Sequence, residues 1–265
     1  MNSRFEQVRS VLFLPASNPR AIGHARESAA DLVILDLEDA VRPEDKDSAR
    51  AAAVDAVAED WPMPVAIRVN GVGTQWHLLD VDSVAQSRAD CAVLPRAVSG
   101  RLVHDVAEAV GKPVMAMVET AAGVLAAVEI ASESGALIAG TNDLRAELRV
   151  PIGKDRAAIS ASLQMMLLAS RSAGIPSFDG VFNDLEDLDG FAAECAEGRA
   201  LGFDGKSLIH PSQIEPCNRL FSPTEEELAR ARRLVEAFGG GAERFEGQMI
   251  ERMHIETAQR LLDRA

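Results

Sequence analysis

The chain has 265 residues, with 27 Lys and Arg against 41 Asp and Glu, which gives a formal net charge of −14. That length suits one or two domains, and about 250 residues is typical of an α/β barrel that forms a single domain. The acidic charge disfavours nucleic acid and membranes as partners, because both attract clusters of Lys and Arg. Three well-separated cysteines indicate neither a disulfide framework nor a structural zinc site. We expect a cytoplasmic globular protein.

Eight short apolar runs organise the chain, with helical patterns in the intervals between them. The predicted strands are 10–14, 31–37, 65–69, 91–94, 114–118, 136–139, 175–179 and 205–209. These runs are continuous rather than alternating in polarity, as is typical of parallel strands buried on both faces. The predicted helices are 19–28, 43–59, 75–88, 102–110, 123–134, 154–172 and 185–200, of which 75–88 has the weakest pattern.

Eight strands alternating with helices predict a (β/α)8 TIM barrel, because eight parallel strands close into a barrel. An open doubly wound sheet is the alternative that strand counting leaves open. We expect the barrel to span 1–238 and a short C-terminal helical extension to span 239–265. The extension carries Met249, Ile250, Met253, Ile255, Leu261 and Leu262. Most of these lie on one helical face, which predicts burial at a subunit interface.

Polar or charged residues stand at the ends of seven of the predicted strands. They are Asp36, Glu38 and Asp39, then Arg68 and Asn70, Arg96, Glu119, Asp143, Asp179 and His210. In a closed barrel the carboxyl ends of the strands share one rim, where the active sites of this fold lie. A single Asp after a strand is more often a helix cap, whereas seven such ends favour a site.

Glu119 and Asp143 follow consecutive strands, so a barrel would bring their carboxylates together. Two carboxylates, completed by water and substrate oxygens, suit Mg²⁺; the alternative is that both residues are helix caps. Arg68 would be nearly buried in the mouth, where a guanidinium needs a planar anion. That anion is either a ligand carboxylate or the side chain of Glu38 or Asp39, and the sequence favours neither.

Seven segments occur in an order that is specific as a combination. They are RSVLFLP at 9–15, DLEDAV at 36–41, RVN at 68–70, ETAAG at 119–123, GTNDL at 140–144, GFDGK at 202–206 and IHPSQ at 209–213. Over nearly its whole length the chain thus resembles the citrate lyase β-subunit (CitE-like) family, in the HpcH/HpaI aldolase superfamily. The resemblance implies a (β/α)8 barrel that makes or breaks a carbon–carbon bond beside a CoA-type thioester with Mg²⁺.

The same resemblance implies roles for individual residues. Glu119 and Asp143 are expected to bind the metal, and Arg68 to hold a carbonyl or carboxylate of the substrate. Arg96 stands where the family commonly has Lys, and can bind phosphate, so Arg68, Glu119 and Arg96 are expected to contact substrate. The resemblance does not supply the acid/base. From the chemistry of the cleavage we expect Arg68 to stabilise negative charge and Glu38, Asp39 or a metal-bound water to move the proton. The resemblance also implies a homo-trimer or hexamer.

We therefore expect a Mg²⁺-dependent carbon–carbon lyase that cleaves or forms a β-hydroxyacyl-CoA of the citramalyl, malyl or citryl type through an enolate. One alternative is a class II aldolase that releases pyruvate or oxaloacetate from a free hydroxy-oxo acid. Another is a subunit of a citrate lyase complex, acting on an acyl-carrier thioester. For the lyase and the aldolase the expected partner is a small-molecule acyl-CoA or oxo acid, and for the complex subunit it is an acyl carrier.

Overall fold

A computed structural model describes residues 5–151, 153 and 156–264. The chain forms two compact units, which divide between Asn218 and Arg219. In the first unit, eight parallel strands pair in chain order and the eighth pairs with the first, which closes the barrel. The predicted (β/α)8 barrel is therefore confirmed, and the open sheet is wrong.

The strands lie close to the predicted apolar runs. They are β1 Ser10–Pro15, β2 Leu32–Asp36, β3 Val65–Arg68, β4 Cys91–Leu94, β5 Val114–Val118, β6 Ala136–Ala139, β7 Ser177–Asp179 and β8 Gly205–Leu208. Strand β7 begins two residues later than predicted. Pro176 precedes it and has no N–H to donate to a ladder, which accounts for the later start.

Helices separate the strands. They are α1 Pro19–Arg26, α2 Lys46–Ala58, α3 His77–Gln86, α4 Gly100–Val110, α5 Ala121–Leu125, α6 Ala127–Ser132, α7 Thr141–Glu147, α8 Ser160–Ala173, α9 Leu188–Leu201 and α10 Ile214–Phe221. The predicted helix 123–134 is two helices, and α7 was not predicted. The predicted helix 154–172 corresponds to α8, and its residues 154 and 155 lie outside the described residues. Within the described part of the chain, no helix is long and apolar enough to span a bilayer.

The barrel interior is a packed core below the rim. Its buried side chains include Val11, Leu32, Ile34, Ala66, Cys91, Val93, Met115, Ile138 and Phe178. Interior packing of this kind is general for barrels of eight strands, which enclose side chains rather than a pore. The barrel interior below the rim is therefore filled by side chains, so a ligand site is expected at the carboxyl ends of the strands.

A buried ionic cluster ties β7 and β8 to α9. The Lys206 Nζ atom, on β8, lies 3.0 Å from Asp179 Oδ2 and 2.7 Å from Glu194 Oε1. Arg156 donates to both oxygens of Asp179, at 2.9 and 2.6 Å. Burial lowers the pKa of Lys206, but Asp179 and Glu194 more than offset this and leave it above its ordinary value. The ammonium therefore stays charged although Lys206 is fully buried.

The second unit is built from α11 Glu225–Ala237, a hairpin of β9 Glu243–Phe245 and β10 Gln248–Ile250, and α12 Arg252–Asp263. Helix α11, which the sequence analysis counted with the barrel segment, packs against α12. Their core holds Ala231, Leu234, Ile250 and Ala258, with Ile255, Leu261 and Leu262 partly buried, whereas Met249 and Met253 are exposed. The hairpin was not predicted. Its turn residues Glu246 and Gly247 both have positive φ, and a Glu-Gly pair is a weaker signal than Asn-Gly.

Candidate active site

A cavity of about 400 Å³ opens at the carboxyl ends of the barrel strands. Four of the predicted site residues line it: Asp39, Arg68, Glu119 and Asp143. Its remaining wall is largely apolar and includes Phe13, Met117, Val181 and Ile209. Of the two other predicted residues, Glu38 lies beside Arg68 and Arg96 contacts Glu119 and Asp143. The structure thus brings all six together at one end of the barrel.

Arg68 is held by an ion pair with Asp36. The two residues are paired in register on β3 and β2. Arg68 Nε and Nη2 each donate to one oxygen of Asp36 at 2.6 Å, and Nη1 lies 2.8 Å from Glu38 Oε2. The prediction that Glu38 or Asp39 would pair with Arg68 is thus incomplete, because Asp36 is the bidentate partner. The guanidinium still lines the cavity, and stacks over the Phe13 ring.

The backbone fixes Asp36 in turn. The N–H groups of Glu38 and Ala40 donate to its two oxygens, at 2.8 and 3.1 Å. Burial disfavours the charged guanidinium of Arg68, yet the charge and hydrogen bonds of Asp36 raise the pKa of Arg68 above its ordinary value. Arg68 is therefore a fixed positive charge in the cavity wall.

A second layer of hydrogen bonds holds the segments that follow β2 and β3. Lys46 Nζ donates to the carbonyl oxygens of Leu37 and Glu38 and to Asn70 Oδ1, at 2.7, 2.7 and 2.6 Å. Asn70 Nδ2 donates to Leu37 O and to Asp80 Oδ2. Neither Lys46 nor Asp80 was among the predicted site residues. Both lie within predicted helices, where a charged side chain is ordinarily solvated, so the sequence carried no signal for them.

Glu119 follows β5 and is almost fully buried. Its Oε1 atom accepts the backbone N–H of Arg96 at 2.6 Å. Gly140 packs so closely against the carboxylate that a Cβ atom at position 140 would lie 2.3 Å from Glu119 Oε2. Burial raises the pKa of Glu119, the Arg96 N–H opposes this rise and the charge of Asp143 adds to it, so that the pKa of Glu119 is about 7.

Asp143 lies in the first turn of α7 and is partly exposed. Its Oδ1 atom is 3.6 Å from Arg96 Nη1. Glu119 and Asp143 are not the capping residues of the helices that follow them, so the helix-cap alternative is wrong. Thr120 caps α5 by accepting the N–H of Gly123, and the cap position of α7 is Gly140. Both carboxylates are thus left available to the cavity.

The pair Glu119 and Asp143 fits a divalent cation that keeps part of its own solvent shell. Across residues 5–151, 153 and 156–264, no three His, Cys, Asp or Glu side chains cluster into a complete metal site. Mg²⁺ is commonly bound by one or two carboxylates, with water and substrate oxygens filling the remaining positions. Glu119 is also a buried carboxylate with a raised pKa, so a cation beside it would favour its ionised form.

Residues 9–211 match the family model for HpcH/HpaI aldolase/citrate lyase. The chain belongs to this family. Among curated relatives, a (3S)-malyl-CoA thioesterase of Cereibacter sphaeroides strain ATCC 17025 is 41% identical over 97% of this chain and 94% of its own length. The citrate lyase subunit beta of Escherichia coli K12 is 33% identical over 97% and 93%.

Solved structures agree with this placement in the HpcH/HpaI family. CitE from Mycobacterium tuberculosis, in complex with magnesium, acetoacetate and coenzyme A, superposes with a TM-score of 0.86 at 34% identity. The match covers 98% of each chain. CitE from the same organism in complex with magnesium and pyruvate gives a TM-score of 0.79 at 29% identity, over 97% and 99%. The family is enzymatic, and these relatives bind magnesium.

Two family-like segments also contribute residues whose role is structural and which do not line the cavity. GFDGK contributes Lys206 to the buried ionic cluster outside the barrel interior. In IHPSQ, His210 accepts the N–H of Ser212 and caps the short 3₁₀ turn Pro211–Gln213. Gln213 joins two segments by donating to Phe182 O and accepting the N–H of Ile209. These residues support the rim on which the cavity-lining groups stand.

Proposed function

We propose that this protein is a magnesium-dependent carbon–carbon lyase that cleaves a β-hydroxyacyl-CoA of the malyl type between C2 and C3. The observation that carries the proposal is a fixed guanidinium, Arg68, and a carboxylate pair, Glu119 and Asp143, on one cavity. The names of the relatives supply the substrate class, since they include a malyl-CoA enzyme, a lyase subunit and a CitE complex with coenzyme A.

In this proposal Glu119 and Asp143 hold the metal. Mg²⁺ there would supply positive charge to the substrate hydroxyl and its neighbouring carboxylate, which lowers the pKa of the hydroxyl. The N–H of Arg96 and the close backing of Gly140 fix the carboxylate of Glu119. Asp143 is the more accessible of the two.

Arg68 stabilises the charge that develops during cleavage. The 3-hydroxyl loses its proton and becomes a carbonyl, the C2–C3 electron pair passes to C2 and the thioester oxygen, and C2 then takes up a proton. The products are an acyl-CoA and a 2-oxo acid. A charged donor fixed beforehand, as Arg68 is by Asp36, stabilises negative charge on oxygen without reorganising.

Asp39 is the better placed of the two carboxylates that could move the proton. It is exposed and lines the cavity, whereas Glu38 has an oxygen 2.8 Å from Arg68 Nη1 and does not line the cavity. Burial raises the pKa of Glu38 to about 8, and Arg68 opposes that rise. We therefore assign proton transfer to Asp39. To Glu38 we assign an influence on the charge and orientation of the Arg68 guanidinium.

Hydrolysis of the same thioester is the second candidate. The full-length identity of 41% to a (3S)-malyl-CoA thioesterase favours it. Hydrolysis would direct water to the thioester carbonyl, where Arg68 would stabilise the oxygen in the same manner. The two candidates share a substrate and differ in the bond that breaks.

Product analysis separates the candidates. The purified chain with malyl-CoA and Mg²⁺ is expected to release acetyl-CoA and glyoxylate, with both products measured by mass spectrometry. Free CoA and malate without glyoxylate would instead establish hydrolysis. A free 4-hydroxy-2-oxo acid and an acyl-carrier thioester test the aldolase and complex-subunit alternatives. Asp143→Asn should abolish the activity, whereas Arg101→Gln, on the exposed face of α4, should not.

A further inference from the structure

Arg96 contacts both candidate metal ligands, by different parts of the residue. Its backbone N–H donates to Glu119 Oε1 at 2.6 Å. Its guanidinium nitrogen Nη1 lies 3.6 Å from Asp143 Oδ1. The backbone contact is uncharged and directed at the ligand that is buried. The side-chain contact is ionic and directed at the ligand that is partly exposed.

The backbone of Arg96 is held in an unusual conformation. Its φ angle is +50°, in the left-handed region that a residue with a side chain seldom adopts. The following N–H, of Ala97, donates to Met117 O at 3.0 Å, which anchors the segment to β5. Strain of this kind persists where the surroundings over-determine it, and here it directs an amide at Glu119. The backbone contact therefore belongs to the rigid part of the site.

The guanidinium, in contrast, is only loosely held. About half of the Arg96 side chain is exposed, and its ion pair with Asp143 is longer than a hydrogen bond. Arg68 does not take its place beside Asp143, since the ion pairs with Asp36 and Glu38 fix the orientation of Arg68. A divalent cation bound between Glu119 and Asp143 would repel the nearby guanidinium, because like charges at such separations are destabilising.

We propose that the Arg96 guanidinium and the divalent cation compete for Asp143, and that the released guanidinium binds an anionic phosphate of the CoA-type ligand. This inference rests on the proposed function. Metal binding then frees the Arg96 guanidinium to contact the ligand, so the metal and the ligand bind with positive cooperativity. By linkage the ligand must strengthen metal binding by the same factor. Through both events the N–H of Arg96 keeps Glu119 in place.

Two variants isolate the side chain. Arg96→Gly removes the guanidinium at a position whose φ angle suits glycine, so the N–H to Glu119 is kept. Arg96→Lys keeps a positive charge. Arg101→Gln is the matched control, because Arg101 is an exposed arginine that pairs with Asp105 on α4, away from the cavity.

The metal-free chain is titrated with MgCl₂ by calorimetry. The chain is then titrated with CoA, once without Mg²⁺ and once with saturating Mg²⁺. We expect Arg96→Gly to bind Mg²⁺ about 3- to 10-fold more tightly than the parent. In the parent and in Arg101→Gln, Mg²⁺ should strengthen CoA binding at least about 5-fold. Arg96→Gly should lose this factor and Arg96→Lys should keep part of it. Pantetheine, which lacks the phosphates, should show no cooperativity in any variant.

The competing results are distinct. Weaker Mg²⁺ binding by a folded Arg96→Gly chain, or equal CoA affinity with and without Mg²⁺ in the parent, would overturn the role of Arg96 and leave the proposed reaction standing. A parent chain that binds no Mg²⁺ would overturn the metal site and, with it, this inference. Circular dichroism of each variant establishes that the fold is retained.

Discussion

Asp36 binds Arg68 through both carboxylate oxygens, at 2.6 Å each, in the mouth of the barrel. The same oxygens accept the N–H groups of Glu38 and Ala40, so the carboxylate is itself held by the backbone. Arg68 is thus oriented before any ligand arrives. An active site that holds a charged group in this way does not have to reorient that group during the reaction.

We expect Asp36→Asn to destabilise the fold. Breaking a buried ion pair by removing one charge typically costs about 3–5 kcal/mol, because the other charge stays buried. The free energy of unfolding in urea measures this loss. Asp105→Asn, which removes an exposed partner of Arg101, should leave the free energy of unfolding close to that of the parent. A loss under about 1 kcal/mol for Asp36→Asn would show that Glu38 alone compensates Arg68.

Metal binding and substrate stabilisation should separate between two variants. Asp143→Asn nearly preserves shape but removes an anionic ligand, so it should keep the fold and weaken Mg²⁺ binding strongly. Arg68→Lys should retain Mg²⁺ affinity and lower turnover about 10²–10³-fold, since an ammonium cannot reproduce the guanidinium fork. Titration of Mg²⁺ and steady-state kinetics test the two roles. Unchanged Mg²⁺ affinity in Asp143→Asn would remove that residue from the metal site.

Gly140→Ala should displace Glu119. The added Cβ atom would lie 2.3 Å from Glu119 Oε2, a separation that requires the carboxylate to move. We expect Mg²⁺ affinity to fall at least about 10-fold, as ligand displacement commonly does for metal sites. Gly23→Ala is the control, because a Cβ atom there meets nothing within 4 Å. Equal Mg²⁺ affinity in both variants would place the metal away from Glu119.

The strands and the rim residues could be predicted because both depend on local pattern. Continuous apolar runs identify parallel strands, and chain order places Glu119 and Asp143 on neighbouring strands of a barrel. The partner of Arg68 could not be chosen in the same manner, because three carboxylates, Asp36, Glu38 and Asp39, stand within four residues. Strand register decides among them, and it pairs Asp36 with Arg68.

Stability should depend on the protonation of Glu38. Burial raises its pKa in the folded state from 4.5 to about 8, so the folded protein binds this proton more strongly than the unfolded chain does. The stabilisation is therefore fully present at low pH and is lost as pH rises from about 4.5 to 8.

Glu38→Gln, which mimics the neutral form, should raise the free energy of unfolding near pH 8 relative to the parent, on the order of 2 kcal/mol, and change it little near pH 5. Urea titrations in EDTA across this range measure the difference. Exposed Glu44→Gln is the control and should follow the parent at every pH. A Glu38→Gln curve parallel to that of the parent would count against the raised pKa.

The chain is expected to assemble as a homo-trimer or hexamer. Met249 and Met253 remain 65% and 60% exposed in the second unit, although the sequence pattern assigned both to a buried face. Exposed large apolar side chains of this kind are common at subunit interfaces. Light scattering at micromolar concentration should give three or six times the mass of 28.3 kDa. A monomeric mass would contradict the assembly.

Contacts between distant segments account for most of what the sequence did not predict. Lys46 meets Asn70 across 24 residues, and Lys206 meets Asp179 across 27. Each side chain taken alone is indistinguishable from a solvated surface charge. Only the closed barrel shows that Lys46 lies among buried oxygen acceptors and Lys206 among buried carboxylates.

The position of Lys206 bears on how the barrel closes. Strand β8 joins the two ends of the sheet through short ladders, with three residue pairs to β1 and two to β7. A slip of one residue would exchange the two faces of the strand and turn Lys206 into the apolar interior, away from Asp179 and Glu194. An ammonium without a charged partner in the apolar interior would be costly, so pairing of β8 out of register is disfavoured. The ionic cluster therefore favours the closed barrel in which β8 pairs in its native register.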